Sequence, residues 1–114
     1  MFDPEGPVMG LPLFWRAMKS EYDVLISFRT PDGFKVCGQY FLGKDRGFAE
    51  SVFTGLIGRE DIIDTAVLHL DLMETRDGLP IKIRSVSCKL SELCANCEYI
   101  TKELFRVHAV ERPN

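Results

Sequence analysis

The chain lacks any hydrophobic run long enough to span a membrane. Its longest apolar stretch, residues 8–15, is interrupted by Gly10 and Pro12, whereas a membrane-spanning helix needs about 20 consecutive apolar residues. The N-terminus carries Asp3 and Glu5 where a secretory signal peptide has basic residues. We therefore expect a protein of the cytoplasm that has reduced thiols and no membrane partner.

The sequence also lacks a strong excess of charge of either sign. Its 14 Lys and Arg residues stand against 17 Asp and Glu residues, for a net charge of -3, whereas nucleic-acid-binding domains usually carry a strongly basic surface. The predicted strands have no stripe of aromatic and basic side chains for stacking on RNA bases, because Phe34 and Tyr40 fall on the predicted core face. We expect no nucleic-acid partner.

Short motifs that bring catalytic chemistry are missing as well. The sequence contains no phosphate-binding G-x-x-x-x-G-K-[ST], no dinucleotide-binding G-x-G-x-x-G and no zinc-protease H-E-x-x-H. We therefore predict no catalytic residue and no cofactor. What is present is ordinary globular composition, with 46% hydrophobic and 27% charged residues among 114, which predicts one folded domain.

Residues 22–114 read as two successive ββα units. In the first unit, residues 22–58, two alternating apolar strands meet at a Pro-Asp-Gly turn, residues 31–33, and a helix follows. Asp45 is the expected cap of that helix, and Gly58 is its expected end.

The second unit, residues 65–105, repeats this order. Its strands meet at an Asp-Gly turn, residues 77–78, and Ser91 is the expected cap of its helix. Residues 105–110 are predicted to add a short final strand. The sequence thus predicts an α+β fold: a two-layer sandwich with an antiparallel sheet of four or five strands and both helices on one face.

The other face of this sheet, which we call the open face, has no helical cover. Alternation along the strands assigns 15 side chains to it: Leu25, Ser27, Arg29, Lys35, Cys37, Gln39, Phe41, Val67, His69, Asp71, Met73, Lys82, Arg84, Val86 and Cys88. Large apolar and charged side chains mixed on one surface are typical of an interface.

Four residues of the open face are candidates for binding a ligand: His69, Asp71, Lys82 and Arg84. An imidazole beside a carboxylate is the pair that general-base chemistry uses. The Cα atoms of alternate strand residues are about 7 Å apart, however, and no nucleophile stands at a motif spacing beside the pair. Enzymatic activity is therefore disfavoured.

Residues 1–21 form a predicted N-terminal arm that carries Leu11, Leu13, Phe14 and the only tryptophan, Trp15. We expect this arm to dock on the open face or on a neighbouring subunit, because such a cluster would otherwise promote aggregation. The predicted interface residues are Leu13, Phe14, Trp15, Leu25, Phe41, Val67, Met73 and Val86.

Cysteine spacing raises the question of a metal. Cys94 and Cys97 form a C-x-x-C motif six residues after Cys88, but no second Cys or His pair is present to complete a tetrahedral zinc site. Cys97 falls on the apolar stripe of the second predicted helix, so we predict a core role for it and no metal.

These features favour a non-enzymatic interaction module that self-associates, as a homodimer, through its open face or its N-terminal arm. Another protein partner is compatible with the same surfaces. Two alternatives stay open. One is a small-molecule-binding protein or enzyme that uses the four candidate residues of the open face, and the other is a small zinc protein that uses Cys88, Cys94 and Cys97.

Overall fold

A computed structural model describes residues 19–60 and 66–110. The elements are β1 (Ser20–Thr30), β2 (Gly33–Gly43), α1 (Arg46–Thr54), β3 (Leu68–Arg76), β4 (Leu79–Cys88) and α2 (Leu90–Val110). All strand pairs are antiparallel, in the order β2-β1-β3-β4. The predicted α+β fold, a four-stranded antiparallel sheet with two helices packed on it, is confirmed.

Local turn chemistry places both hairpins where the sequence predicts them. In the β1–β2 turn, the Asp32 backbone N–H donates to the Thr30 hydroxyl at 3.2 Å, and Gly33 has a φ of 112°. In the β3–β4 turn, Asp77 and Gly78 have φ values of 55° and 82°. A two-residue hairpin turn with positive φ at both positions follows the right-handed twist of the strands, which explains the Asp-Gly pair.

Helix α1 begins as predicted and ends earlier than predicted. The Asp45 side chain accepts a hydrogen bond from the Phe48 N–H at 3.3 Å, and the helix stops at Thr54. Gly58 is not the helix stop, because the chain leaves the helix to join the edge of β4. There the Arg59 N–H and carbonyl both bond to Ser87 at 2.8 Å.

Helix α2 corrects two expectations. The Lys89 N–H donates to the Glu92 carboxylate at 2.8 Å, so the helix begins at Leu90 and Ser91 lies inside its first turn rather than capping it. The predicted final strand over residues 105–110 is wrong, because α2 continues to Val110. Residues 105–110 contain neither Gly nor Pro, which would end a helix. Leu104, just before them, packs against the core as part of the apolar stripe of α2.

The core lies between the sheet and the helices. Its buried members are Tyr22, Val24, Ile26, Leu42, Ala49, Val52, Phe53, Leu70, Leu72, Val86 and Ile100. Burying each large side chain of this kind contributes roughly 1.5–3 kcal/mol. In the described part of the chain, neither helix is long and apolar enough to cross a membrane.

Most of the predicted N-terminal arm, residues 1–18, lies outside the described residues. The last two residues of the predicted arm, Ser20 and Glu21, belong to β1. The carbonyl of Lys19 accepts a hydrogen bond from the Asp77 N–H at 3.3 Å, so the described chain begins at the same end of the sheet as the β3–β4 turn.

Candidate functional site

A β-bulge in β2 decides which of its side chains reach the open face. Ile26 of β1 pairs with Gly38, but the next residue, Ser27, pairs with Val36, so Cys37 is an extra residue in β2. An extra residue reverses the alternation of side chains beyond it. Val36 and Phe34, which alternation assigns to the core, therefore lie on the open face.

A second bulge acts in the same way in β4. Leu72 pairs with Arg84 and Met73 pairs with Lys82, which leaves Ile83 as the extra residue. Lys82 stays on the open face with Met73. Arg84 lies on the helix face with Leu72, so the prediction that it belongs to the open face is wrong.

The contacts of Arg84 show what it does on the helix face. Its guanidinium donates to the Thr54 hydroxyl at 2.9 Å and pairs with the Glu60 carboxylate at 2.7 Å, and it lies 5.2 Å from the centroid of the Phe53 ring. Arg84 thus ties β4 to α1 and to the segment that follows α1.

Val86 and Cys88 follow Arg84 on the helix face and were also predicted wrongly. Val86 is a buried core residue, and Cys88 packs against the core cluster. Their opposite neighbours in β3 are Leu70 and Leu68, both on the helix side of the sheet. The bulge at Ile83 is the common cause of all three corrections in β4.

An aromatic stack crosses the open face near the end of the sheet that carries the β1–β2 turn. The Phe34 and His69 rings are nearly parallel, with centroids 4.1 Å apart. They come from β2 and β3, and Ser27 of the intervening strand β1 pairs with His69. Because a serine side chain is short, the rings can meet above it, and Ser27 is buried.

Phe34 also contacts a cation, since the Arg29 guanidinium lies 5.0 Å from its ring centroid. The premise that Phe34 points into the core is therefore wrong, whereas Tyr40 does pack against the core cluster. The expectation of no nucleic-acid partner now depends on the net charge of -3 alone.

A polar group adjoins this stack. The Asp71 carboxylate accepts a hydrogen bond from the Ser85 hydroxyl, and the Lys82 ammonium lies 3.9 Å from it. The structure thus brings His69, Asp71 and Lys82 together on the open face, and of the four predicted ligand-binding residues it removes only Arg84.

The His69 imidazole is unusual in this group. Its Nε2 atom is enclosed and has no hydrogen-bond partner within residues 19–60 and 66–110. Burial lowers the pKa of His69 because it disfavours the charged form, and the positive charges of Lys82 and Arg29 act in the same direction. The negative charge of Asp71 opposes them. The imidazole is therefore neutral over most of the physiological pH range.

Exposed apolar side chains surround the polar group. Phe34 is 40% exposed, Phe41 57%, Val36 59% and Val67 59%, while Leu25 and Met73 on the same face are half-buried. The structure therefore places the predicted interface residues Leu25, Phe41, Val67 and Met73 on the open face, and Val86 in the core. Leu13, Phe14 and Trp15 lie outside the described residues.

Two cavities are bordered by described residues. One of about 680 Å³ borders the end of the open face at Val67 and Ser87 and is also lined by Cys88 and Leu90, and a groove of about 250 Å³ lies beside Leu104 and Phe105 of α2. None of the three clustered polar residues of the open face lines either of them. The cluster is part of a broad surface, which suits a macromolecular contact better than a small ligand.

The cysteines do not form a metal centre in the part of the chain that the structure describes, where no three His, Cys, Asp or Glu side chains are grouped to hold an ion. Cys94 is exposed, whereas Cys97 is half-buried against the core cluster. Burial raises the pKa of the Cys88 thiol to about 11, and the negative charge of Glu92 adds to this effect. Cys88 is therefore a thiol, not a thiolate, at neutral pH.

Two buried polar residues outside the open face are not predicted from the sequence, and the first is Asn96. It is 1% exposed, its Oδ1 accepts from the Ile57 N–H at 2.7 Å, and its Nδ2 donates to the Ile57 carbonyl at 2.8 Å. It fastens the segment after α1 to α2. The sequence feature that could have indicated this role is a polar residue next to Cys97 on the apolar stripe of the helix.

The second is Glu74, whose carboxylate is almost fully buried. It accepts hydrogen bonds from the Ser20 hydroxyl at 2.6 Å and the Tyr22 hydroxyl at 3.3 Å, and from the Arg76 guanidinium. The pKa of Glu74 is lowered despite its burial, first by the hydrogen bond from Ser20 and then by the other hydrogen bonds and the positive charge of Arg76. The sequence feature that could have indicated its burial is its position two residues after Leu72, on the face of the strand that points to the core.

No protein-family model matches this sequence, and neither a curated protein nor a solved structure matches it significantly.

Proposed function

We propose that this protein is a non-enzymatic interaction module that self-associates as a homodimer by packing the open faces of two copies together. The observation that carries this proposal is the surface around the Phe34–His69 stack. Exposed Val36, Phe41 and Val67 share one face with an imidazole nitrogen that is enclosed and unpartnered within the described residues. Such a surface gains from losing its water.

The distribution of residues over the face supports a protein contact. The larger apolar side chains lie on β1 and β2, with Leu25, Phe34, Val36 and Phe41, although Asp23, Arg29 and Gln39 share that half of the face. Asp71 and Lys82 lie on β3 and β4. Protein interfaces have an apolar centre and a polar rim. Two copies that pack their whole faces together about a two-fold axis perpendicular to the strands would place their β1–β2 halves against each other.

The edges of the sheet are less suited to pairing with a second copy. Edge strand β2 is interrupted by bulges at Cys37 and Leu42. Edge strand β4 contains Pro80 and the bulge at Ile83, and Arg59 already bonds to its last residues. Bulges and prolines are common devices that prevent edge-to-edge pairing.

The size of the face favours a second copy over a short peptide. Four strands spaced about 4.8 Å apart and roughly 10 residues long cover about 600 Å². Two such faces bury about 1,200 Å² in total, which is the lower end of the range for stable protein interfaces. A stable complex therefore needs almost the whole face.

The proposal includes the cytoplasmic location inferred from the sequence. It is supported by the four cysteines, all of which lie among the described residues as free thiols. Small proteins of oxidising compartments more often pair their cysteines.

Sedimentation equilibrium tests the homodimer. We expect the wild type to be a dimer and the Phe41→Asp variant to be a monomer at the same concentration, because the substitution places a charge on the apolar half of the interface. Phe105→Asp is the matched control, since Phe105 is 68% exposed on α2, away from the open face. It should remain dimeric.

A wild type that is monomeric at high concentration would overturn the proposal. If the emission of Trp15 in that monomer is blue-shifted and moves to the red in the Phe41→Asp variant, the N-terminal arm is the occupant of the open face. Equal weakening of the dimer by both substitutions would likewise contradict the assignment of the interface to the open face.

A further inference from the structure

We propose that His69 makes the self-association depend on pH, with the dimer formed by the neutral imidazole and weakened when the imidazole is protonated. This inference rests on the proposed function and adds its regulation. Its starting point is the position of His69 in the middle strands of the open face, where it stacks on Phe34.

A second proton on the His69 ring would have no hydrogen-bond acceptor at Nε2 among the described residues. The Nε2 atom of His69 is already enclosed in a single copy, with no acceptor beside it within residues 19–60 and 66–110. A second copy packed over the face would remove more water from the imidazole. Further desolvation disfavours the charged form of a histidine.

The charges around the ring act in both directions. Arg29 faces it from β1 and Lys82 from β4, and both oppose a positive imidazolium, whereas Asp71 on its own strand favours one and has the largest effect of the three charges. The Asp71 carboxylate is, however, already engaged by Ser85 and Lys82.

The aromatic partner is engaged as well. The Phe34 ring that stacks on His69 also faces the Arg29 guanidinium at 5.0 Å. The remaining cross-strand neighbours of His69 are Ser27 of β1 and Ser87 of β4, which carry no charge. Protonation of His69 would therefore add a third positive charge beside Arg29 and Lys82, where Asp71 is the one carboxylate among these described neighbours and is already bonded to other groups.

The composition of the chain makes this idea easy to test. The sequence contains two histidines, and the other one, His108, is exposed near the end of α2. The dissociation constant of the wild-type dimer should be constant from about pH 8 to about pH 7 and should then rise on acidification. Since each dimer contains two His69 side chains, the rise can reach about 100-fold per pH unit.

Two variants test whether this pH dependence comes from His69. His69→Gln keeps a neutral polar side chain and should dimerise with a dissociation constant that is flat over the same pH range. His108→Gln should behave like the wild type. As a measurement that needs no variant, the imidazole resonance of wild-type His69 should titrate at lower pH in concentrated, dimeric samples than in dilute, monomeric ones.

The outcomes separate this inference from the proposed function. A dimer whose dissociation constant does not change with pH, or a His69 resonance that titrates identically in monomer and dimer, would refute the inference and leave the homodimer intact. A pH dependence that persists in His69→Gln and disappears in His108→Gln would refute it too. The absence of a dimer at every pH would refute the proposed function itself.

Discussion

Asn96 offers the sharpest test of how the two halves of the fold are joined. Its side-chain amide both donates to and accepts from the backbone of Ile57, in the segment where the chain leaves α1. The side chain projects from α2 and is 1% exposed. We therefore expect Asn96→Ala to lower the free energy of unfolding by detaching this segment from α2.

The magnitude follows from two terms. Each of the two hydrogen bonds contributes about 1 kcal/mol net, and the truncated side chain leaves a small cavity that costs about 1 kcal/mol more. The expected loss is about 3 kcal/mol, a large part of the roughly 5–15 kcal/mol that holds a domain of this size folded. Asn96→Asp should cost more, because it retains the acceptor for the Ile57 N–H but directs a buried carboxylate at the Ile57 carbonyl.

Urea denaturation followed by far-ultraviolet circular dichroism measures both variants. Glu98→Ala is the control on the same helix, since the Glu98 side chain is 68% exposed and pairs with Lys102 within α2, and the loss of such a pair should cost under about 0.5 kcal/mol. The reasoning would be refuted if Asn96→Ala cost no more than Glu98→Ala, or if Asn96→Asp were the milder of the two substitutions at position 96.

Three further predictions concern stability. Glu74→Gln should lower the free energy of unfolding by about 2 kcal/mol near neutral pH. Because the pKa of Glu74 is lowered in the folded state, the stabilisation by its carboxylate is present above the unfolded-state pKa and is lost as the pH falls through the folded-state pKa. Urea titrations should therefore show that the stability of the variant falls less steeply on acidification than that of the wild type. Gly58→Ala should destabilise strongly, because an added Cβ would lie 2.6 Å from the Ser87 carbonyl oxygen, whereas Gly33→Ala meets open space and suffers only from its φ of 112°; similar urea midpoints for the two would contradict this. Cys97→Asp should cost several kcal/mol and Cys97→Ala about 1 kcal/mol, and equal thermal midpoints would show that Cys97 lies outside the core.

The parts of the fold that the sequence predicts correctly are those determined by local chemistry. The Asp-Gly turn at residues 77–78 requires two positive φ values, and few residue pairs accept them. Asp45 has a side-chain oxygen at the distance that a free helix N–H requires. Each of these features involves neighbours in the sequence, so the pattern contains all of the relevant information.

The end of α2 shows where local patterns are insufficient. Residues 105–110 alternate well enough to suggest a strand, and in the structure they extend the helix. The Glu103–Arg106 ion pair, three residues apart on one helix turn, is compatible with helix alone. The position beside the last residues of β4 is also taken by Arg59, so a fifth strand after α2 has no free partner there.

The site could be predicted only in part because β-bulges are not encoded by alternation. Strict alternation brings Lys35 and Arg84 to the open face and hides Phe34 and Val36. The bulge in β2 reverses the assignments of Lys35, Phe34 and Val36, and the bulge in β4 reverses that of Arg84. The central strands β1 and β3 pair with each other without a register shift. The placement of His69 and Asp71 on the open face was therefore correct, whereas the edge strands carried the errors.

These bulges have a direct consequence for the character of the open face. The bulge in β2 takes the long cation Lys35 off this face and places Phe34 and Val36 on it. The bulge in β4 takes Arg84, Val86 and Cys88 off it and places Ser85 and Ser87 on it. Burying a lysine or arginine without a partner is costly, so a face of strict alternation would resist being covered. The bulge in β2 thus adds apolar surface that gains from association, and the bulges in both edge strands disfavour strand addition there. The extra residues in β2 and β4 therefore both favour face-to-face packing over edge pairing.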